Sequence, residues 1–163
     1  MAVEPAELTR AMARVPSPVT VVTTVDASGK RWGFTASSFC SLSLRPPLVT
    51  VCLDRTASTH TAFVTADMFL VSVLAHDQAD VALRFAGSGT DRFAAGDTVP
   101  CEEGLPGLPG AAARLACARQ AVLDGGDHSI LVGRVERTFT GGADPLVHWD
   151  RAFARPTTAL PVG

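Results

Sequence analysis

The chain has 163 residues, 47% of them hydrophobic and 18% charged, enough to bury one core and too apolar for a disordered chain. Its net charge is −2 and Lys30 is the only lysine, so there is no basic field to hold a nucleic-acid backbone. Met1–Arg14 carries Glu4, Glu7, Arg10 and Arg14 among small residues, a pattern unlike a secretory leader or a membrane span, and the expected location is the cytoplasm.

In chain order, Leu8, Ala11, Met12 and Val15 recur at three- and four-residue steps, predicting a helix within residues 1–15 that packs one face on the body and stops at Pro16. The Val/Thr-rich Pro18–Val25, the turn residues Asp26–Lys30 and the extended pattern Arg31–Ala36 predict a hairpin. Pro46 and Pro47 lack an N–H and should precede a strand at Leu48–Leu53. Asp54–Thr59 reads as a turn, His60–Ala66 as one or two helical turns, and Phe69–Leu74 as a buried strand. His76–Ala86 fits a helix ended by Gly87-Ser88-Gly89. Gly96–Gly110, rich in Gly and Pro, is expected to be a loop with one short strand. Ala112–Leu123, Ser129–Thr140 and Leu146–Trp149 read as strands, although the alanines of the first fit a helix equally well. Arg155–Gly163 should be a loose tail. Short strands at close spacing with few helices predict one mainly β domain, an antiparallel barrel spanning residues 1–163.

The usual catalytic signatures are missing. Gly87-Ser88-Gly89 follows a helix and lacks the third glycine of a dinucleotide fingerprint, and there is no phosphate loop, H-E-x-x-H or G-x-S-x-G. Cys40, Cys52, Cys101 and Cys117 form no C-x-x-C pair, and His60, His76, His128 and His148 show no ligand spacing, so no metal site is expected and the cysteines read as free thiols.

One stretch concentrates hydroxyls where a strand leaves the sheet: Thr35-Ala36-Ser37-Ser38, then Ser41 and Ser43. Small side chains there let a planar ligand approach the backbone and offer N–H and O–H donors. Taken alone, such a cluster is more often a loop that satisfies its own backbone.

The ordered run Pro16-Ser17-Pro18-Val19-Thr20-Val21-Val22-Thr23-Thr24, Gly33-Phe34-Thr35-Ala36-Ser37-Ser38-Phe39 and Ser41-Leu42-Ser43-Leu44-Arg45-Pro46-Pro47-Leu48 resembles the flavin reductase family. These are the short NAD(P)H-dependent reductases of two-component monooxygenases. Val51-Cys52-Leu53, Phe69–Leu74, Arg84-Phe85-Ala86, Asp91-Arg92-Phe93, Gly126-Asp127-His128 and Gly133-Arg134-Val135 continue the similarity over most of the chain, with the greatest likeness to actinobacterial members serving aromatic polyketide antibiotic biosynthesis.

The resemblance implies an FMN-binding split β-barrel of antiparallel, Greek-key type, a homodimer, and one flavin (FMN or FAD) per subunit reduced by NADH or NADPH. It implies a monooxygenase partner that receives the reduced flavin, with diffusion as one route. It assigns Thr35, Ala36, Ser37 and Ser38 to the isoalloxazine, Ser41, Ser58 and Thr59 to ribityl or phosphate oxygens, and Cys52, Leu53 and Asp54 to the ring's flank. Phe85, Ala86 and Arg92 match the segment that closes the phosphate side, where an arginine makes a bidentate donor; on charge alone Arg92 would equally pair with Asp91 or Asp97. His128 matches the position that binds the nicotinamide nucleotide. Asp54 departs from the family pattern, because a carboxylate beside a phosphate repels it. The competing expectations are a split-barrel flavoprotein with tightly held flavin acting on a small organic substrate, and a non-catalytic flavin-binding subunit of an oxygenase complex.

Overall fold

The computed structural model describes residues 1–157, so most of the predicted tail at 155–163 lies outside the described residues. The first half comprises α1 (Pro5–Met12), β1 (Ser17–Pro18), β2 (Thr20–Val25), β3 (Arg31–Ala36), β4 (Cys40–Leu44), β5 (Pro47–Asp54), α2 (His60–Thr65) and β6 (Met68–Val73). Then come α3 (Ala79–Ala86), β7 (Val99–Pro100), a 3-10 turn at Glu102–Gly104, β8 (Pro106–Gly107), β9 (Ala113–Gly125), β10 (His128–Thr140), β11 (Val147–Trp149) and β12 (Ala152–Ala154).

Seven strands form one antiparallel sheet in the order β3-β2-β6-β9-β10-β5-β4. The sheet curls until its two ends share a core: Phe34 from β3 packs with Val51 and Leu53 from β5, and with Val22, Phe69, Val71 and Leu131 between them. No ladder joins β3 to β5, so the barrel is closed by side chains and open in its hydrogen bonding on that side.

β2 is buried on both faces, which its unbroken TVVTTV run permits. Val22 enters the barrel, while Val21 faces a second cluster with Val19, Leu74 and Phe93. Val81, Ala82 and Phe85 line one face of α3 and pack into that second cluster, which fixes the helix against the outside of β2.

Several sequence expectations are refined. The alanine-rich segment is the strand β9, because β6 and β10 hydrogen-bond it on both sides and that pairing overrides alanine's helix preference. Cys40–Leu44, read as loop, is the edge strand β4, paired with β5. Gly96–Gly110 holds two short strands that pair with each other, not one. α1 forms as predicted but buries none of its residues in this chain; Leu8, Met12 and Val15 stay exposed. The described residues offer that apolar face no counterpart.

The loop before β9 is held by one buried cation. Arg114, 7% exposed, pairs both carboxylate oxygens of Glu102 at 2.8 and 2.9 Å and donates to the carbonyls of Leu108 and Pro109. Its guanidinium lies 4.0 Å from the Phe139 ring centroid. The hydrogen bonds from Arg114 hold the Glu102 carboxyl below its ordinary value of 4.5, so the pair's contribution is complete above that pH and is lost as pH falls through the lowered value.

Arg114→Ala is expected to cost about 3 kcal/mol in chemical denaturation at neutral pH, the scale of a broken buried pair. Acidification below about pH 4 should destabilise the native chain more than a Glu102→Gln variant.

Candidate functional site

The unpaired side of the barrel is the mouth of a cavity of about 550 Å³, within the range of about 300–1,000 Å³ usual for small-ligand sites. Phe34 and Thr35 of β3 form one wall, Cys52, Leu53 and Asp54 of β5 another, and Phe85 and Ala86 at the end of α3 a third. Ser58, Thr59 and Arg92 close one side and His128 stands at the start of β10.

What keeps this gap open is local hydrogen bonding. β4 pairs with β5 only as far as Cys40 opposite Thr50, which leaves the backbone of Cys52 without a strand partner on that edge. The Ser38 hydroxyl takes its place, accepting from Cys52 N–H at 2.9 Å and facing its carbonyl at 3.3 Å. Backbone polar groups are thus satisfied without a β3 to β5 ladder.

Ten of the residues expected from the sequence come together in this cavity: Thr35, Cys52, Leu53, Asp54, Ser58, Thr59, Phe85, Ala86, Arg92 and His128. Four stand outside its walls. Ala36 is buried opposite Thr20, Ser37 lines a smaller neighbouring cavity with His148 and Phe153, Ser38 serves Cys52, and Ser41 lies on the edge strand β4 opposite Val49. The hydroxyl stretch is therefore divided, because alternate residues of a strand point to opposite faces. The Thr35 hydroxyl donates to the Ala82 carbonyl at 2.6 Å and anchors α3. Phe34, Thr56, Ala57, Ser88 and Gly89 complete the walls; their sequence signal is adjacency to expected residues, in turns that bear no motif of their own.

Arg92 makes neither of the ion pairs expected from charge alone. Asp97 pairs with Arg84 at 2.6 Å, and Asp91 accepts from Phe93 N–H. Arg92 donates instead to the Gly33 carbonyl at 2.6 Å and to the Gly87 carbonyl at 3.1 and 2.8 Å. A guanidinium has five N–H donors, and these contacts use three, leaving two and an unneutralised charge at the cavity. Burial lowers its pKa, yet an arginine remains protonated.

Thr59 is 2% exposed and its hydroxyl has no hydrogen-bond partner. Asp54 is occupied: its carboxylate accepts from Thr56 N–H and hydroxyl, both at 2.7 Å, and the Thr56 hydroxyl above all holds it below the usual carboxylate range. The charge that would repel a phosphate is thus directed into its own turn. Arg55 ties this turn to the β9–β10 hairpin through Asp124 at 2.5 Å and the His128 carbonyl. Gly126, at φ +79°, supplies the left-handed position of the two-residue turn that carries His128, and Asp127 holds the His128 Nδ1 at 2.7 Å.

Phe34, Leu53 and Phe85 on the walls offer a face to a planar ring, and the two uncommitted N–H donors of Arg92 offer a seat for an anion, the two features a flavin phosphate ester requires. Residues 12–157 match the flavin reductase like domain. The chain belongs to that family. This flavin reductase-like chain is 45% identical, over 98% of its length, to an NADH:riboflavin 5′-phosphate oxidoreductase of Streptomyces pristinaespiralis, of which it covers 93%. It is 44% identical, over 94% of its length, to the actinorhodin polyketide dimerase of Streptomyces coelicolor, covering 88% of that protein. Among solved structures, BorF, the flavin reductase component of a bacterial two-component tryptophan halogenase, superposes with a TM-score of 0.87 at 34% identity, over 96% of this chain and all of that one.

Thr59→Val is expected to raise the stability of the ligand-free protein by about 1 kcal/mol, by removing a buried hydroxyl that lacks a partner, while weakening FMN binding. Thermal denaturation with and without FMN reads both effects. Gly33→Ala should weaken FMN binding as well, since a Cβ there would lie 2.7 Å from the Phe85 ring and push that ring into the cavity.

Proposed function

We propose that this protein is an NADH-dependent flavin reductase that supplies reduced flavin to a separate monooxygenase. The observation that carries the reading is the cavity on the unpaired side of the barrel, whose walls gather Thr35, Cys52, Leu53, Phe85, Arg92 and His128 in a chain closely similar to an NADH:riboflavin 5′-phosphate oxidoreductase.

When bound, the flavin supplies the hydride acceptor and the nicotinamide the donor, so the chain has to hold and orient two rings and needs no acid or base of its own. Leu53, Phe34 and Phe85 keep water from the ring face. Arg92 and Thr59 hold the phosphate, Ser58 adds a hydroxyl beside them, and Cys52 and Ala86 flank the ring. His128, oriented by Asp127, positions the nicotinamide nucleotide.

Release of the reduced flavin to a partner fits a cavity open along one side, and FMN then behaves as an exchangeable substrate. No helix among the described residues is long and apolar enough to cross a membrane, in keeping with a cytoplasmic location. A homodimer is favoured by the unburied face of α1 and by Leu42 and Leu44, exposed on the edge strand β4; a second copy would cover both. Similarity to the actinorhodin polyketide dimerase supports a place in aromatic polyketide oxygenation.

Anaerobic stopped-flow mixing with NADH should bleach FMN absorbance at catalytic rates, and no reduction by either NADH or NADPH would refute the proposal. His128→Ala should lower kcat/KM for NADH about tenfold without abolishing turnover, the scale of one lost positioning contact. Flavin that stays with the protein through gel filtration, oxidised and reduced, would favour the tightly bound flavoprotein instead. Sedimentation should give twice the chain mass.

A further inference from the structure

His128 stands on a weakly supported piece of the cavity wall. The ladder between β5 and β10 ends where His128 faces Asp54, and the turn beyond it contains Gly125 and Gly126. Residues 123–127 are exposed, so packing does not fix this turn. Two adjacent glycines also leave its backbone unusually free. The direction of the imidazole has to be set by hydrogen bonds.

Three contacts from Arg55 converge on the turn. Its backbone N–H donates to the Asp127 carbonyl at 3.0 Å, its Nε to the His128 carbonyl at 3.3 Å, and its Nη2 to the Asp124 carboxylate at 2.5 Å. The same Asp124 oxygen accepts from the Gly126 N–H at 3.2 Å, so the guanidinium and the glycine turn share one anchor. Asp127, whose carbonyl Arg55 holds, is also the residue that bonds His128 Nδ1. Arg55 itself stays out of the cavity, although Asp54 and Thr56 on either side of it line the wall. Its side chain is 45% exposed, and an ion pair so open to water adds little to stability. A planar fork, by contrast, fixes direction where a point charge does not.

The flavin side is fastened separately. Ser129, 4% exposed, bonds His60 Nε2 at 2.8 Å, and His60 follows the Ser58-Thr59 pair at the start of α2. Loss of the Arg55 side chain therefore frees the turn without loosening the Ser58-Thr59 wall.

We propose that Arg55 is a positioning residue for hydride transfer, one that aims His128 at the nicotinamide nucleotide by pinning the glycine turn from outside the cavity. The inference rests on the flavin reductase reading and on His128 meeting that nucleotide.

The test is steady-state NADH oxidation by the full chain with saturating FMN, with the Kd for FMN measured alongside by flavin fluorescence. Arg55→Met should lower kcat/KM for NADH about fivefold, against about tenfold for His128→Ala, and leave the Kd for FMN unchanged. The double variant Arg55→Met/His128→Ala should be no worse than His128→Ala alone, whereas independent roles would multiply to about fiftyfold. Arg55→Lys keeps the charge but not the fork and should still lose about threefold; paired with His128→Ala, it keeps the test decisive if the methionine variant does not fold. Four results would overturn the proposal: losses that multiply in the double variant, a native kcat/KM in Arg55→Lys, FMN binding weakened as much as kcat/KM, or a native kcat/KM in His128→Ala. Failure of the native protein to reduce FMN with either nicotinamide nucleotide would instead refute the flavin reductase reading itself.

Discussion

Backbone hydrogen bonding at the edge of β5 governs this structure. A sheet that curls on itself either closes its last ladder or must satisfy two edges by other means. Here β4 covers β5 only part of the way, and the Ser38 hydroxyl then serves Cys52. Because that single side chain replaces a strand, β3 and β5 share a core without sharing hydrogen bonds, and the space between them is left as a cavity. A fully paired barrel of the same residues would fill it.

The distribution of charge follows the same division. Four arginines fasten loops through carboxylates: Arg114 to Glu102, Arg84 to Asp97, Arg55 to Asp124 and Arg155 to Asp144. Around the cavity of Arg92 and the hairpin beside it the pattern changes. Arg92 spends its hydrogen bonds on neutral carbonyls and retains its charge, and Lys30 and Arg31 rest on aromatic faces. An anion entering there meets cations that hold no carboxylate partner, which lowers the cost of binding it.

Much of the fold was readable from local pattern. The apolar runs at Leu48–Leu53 and Phe69–Leu74 match β5 and β6, and the Val81, Ala82 and Phe85 stripe marks the buried face of α3. β4 is less legible, although Cys-Ser-Leu-Ser-Leu alternates with the two-residue period of a strand, because its serines fit a hydroxyl-rich loop equally well. β9 was ambiguous for the opposite reason, since its alanines state no preference that pairing cannot override. The apolar periodicity of α1 marks a helix, yet its face is not buried by the described residues.

For the site, the sequence by itself determined which residue types were available and, through their ordered similarity to flavin reductases, what chemistry to expect. It identified Arg92, His128, Cys52, Leu53 and the Ser58-Thr59 pair as residues to watch. Only the tertiary structure decided which of them share a cavity, because that depends on side-chain direction and on hydrogen-bond partners far away in the chain. Ser38 and Thr35 are spent on Cys52 and Ala82, Arg92 is freed from the acids beside it in sequence, and Lys30, Arg31 and Trp32 share a cavity with Thr59 only because the hairpin between β2 and β3 brings them there.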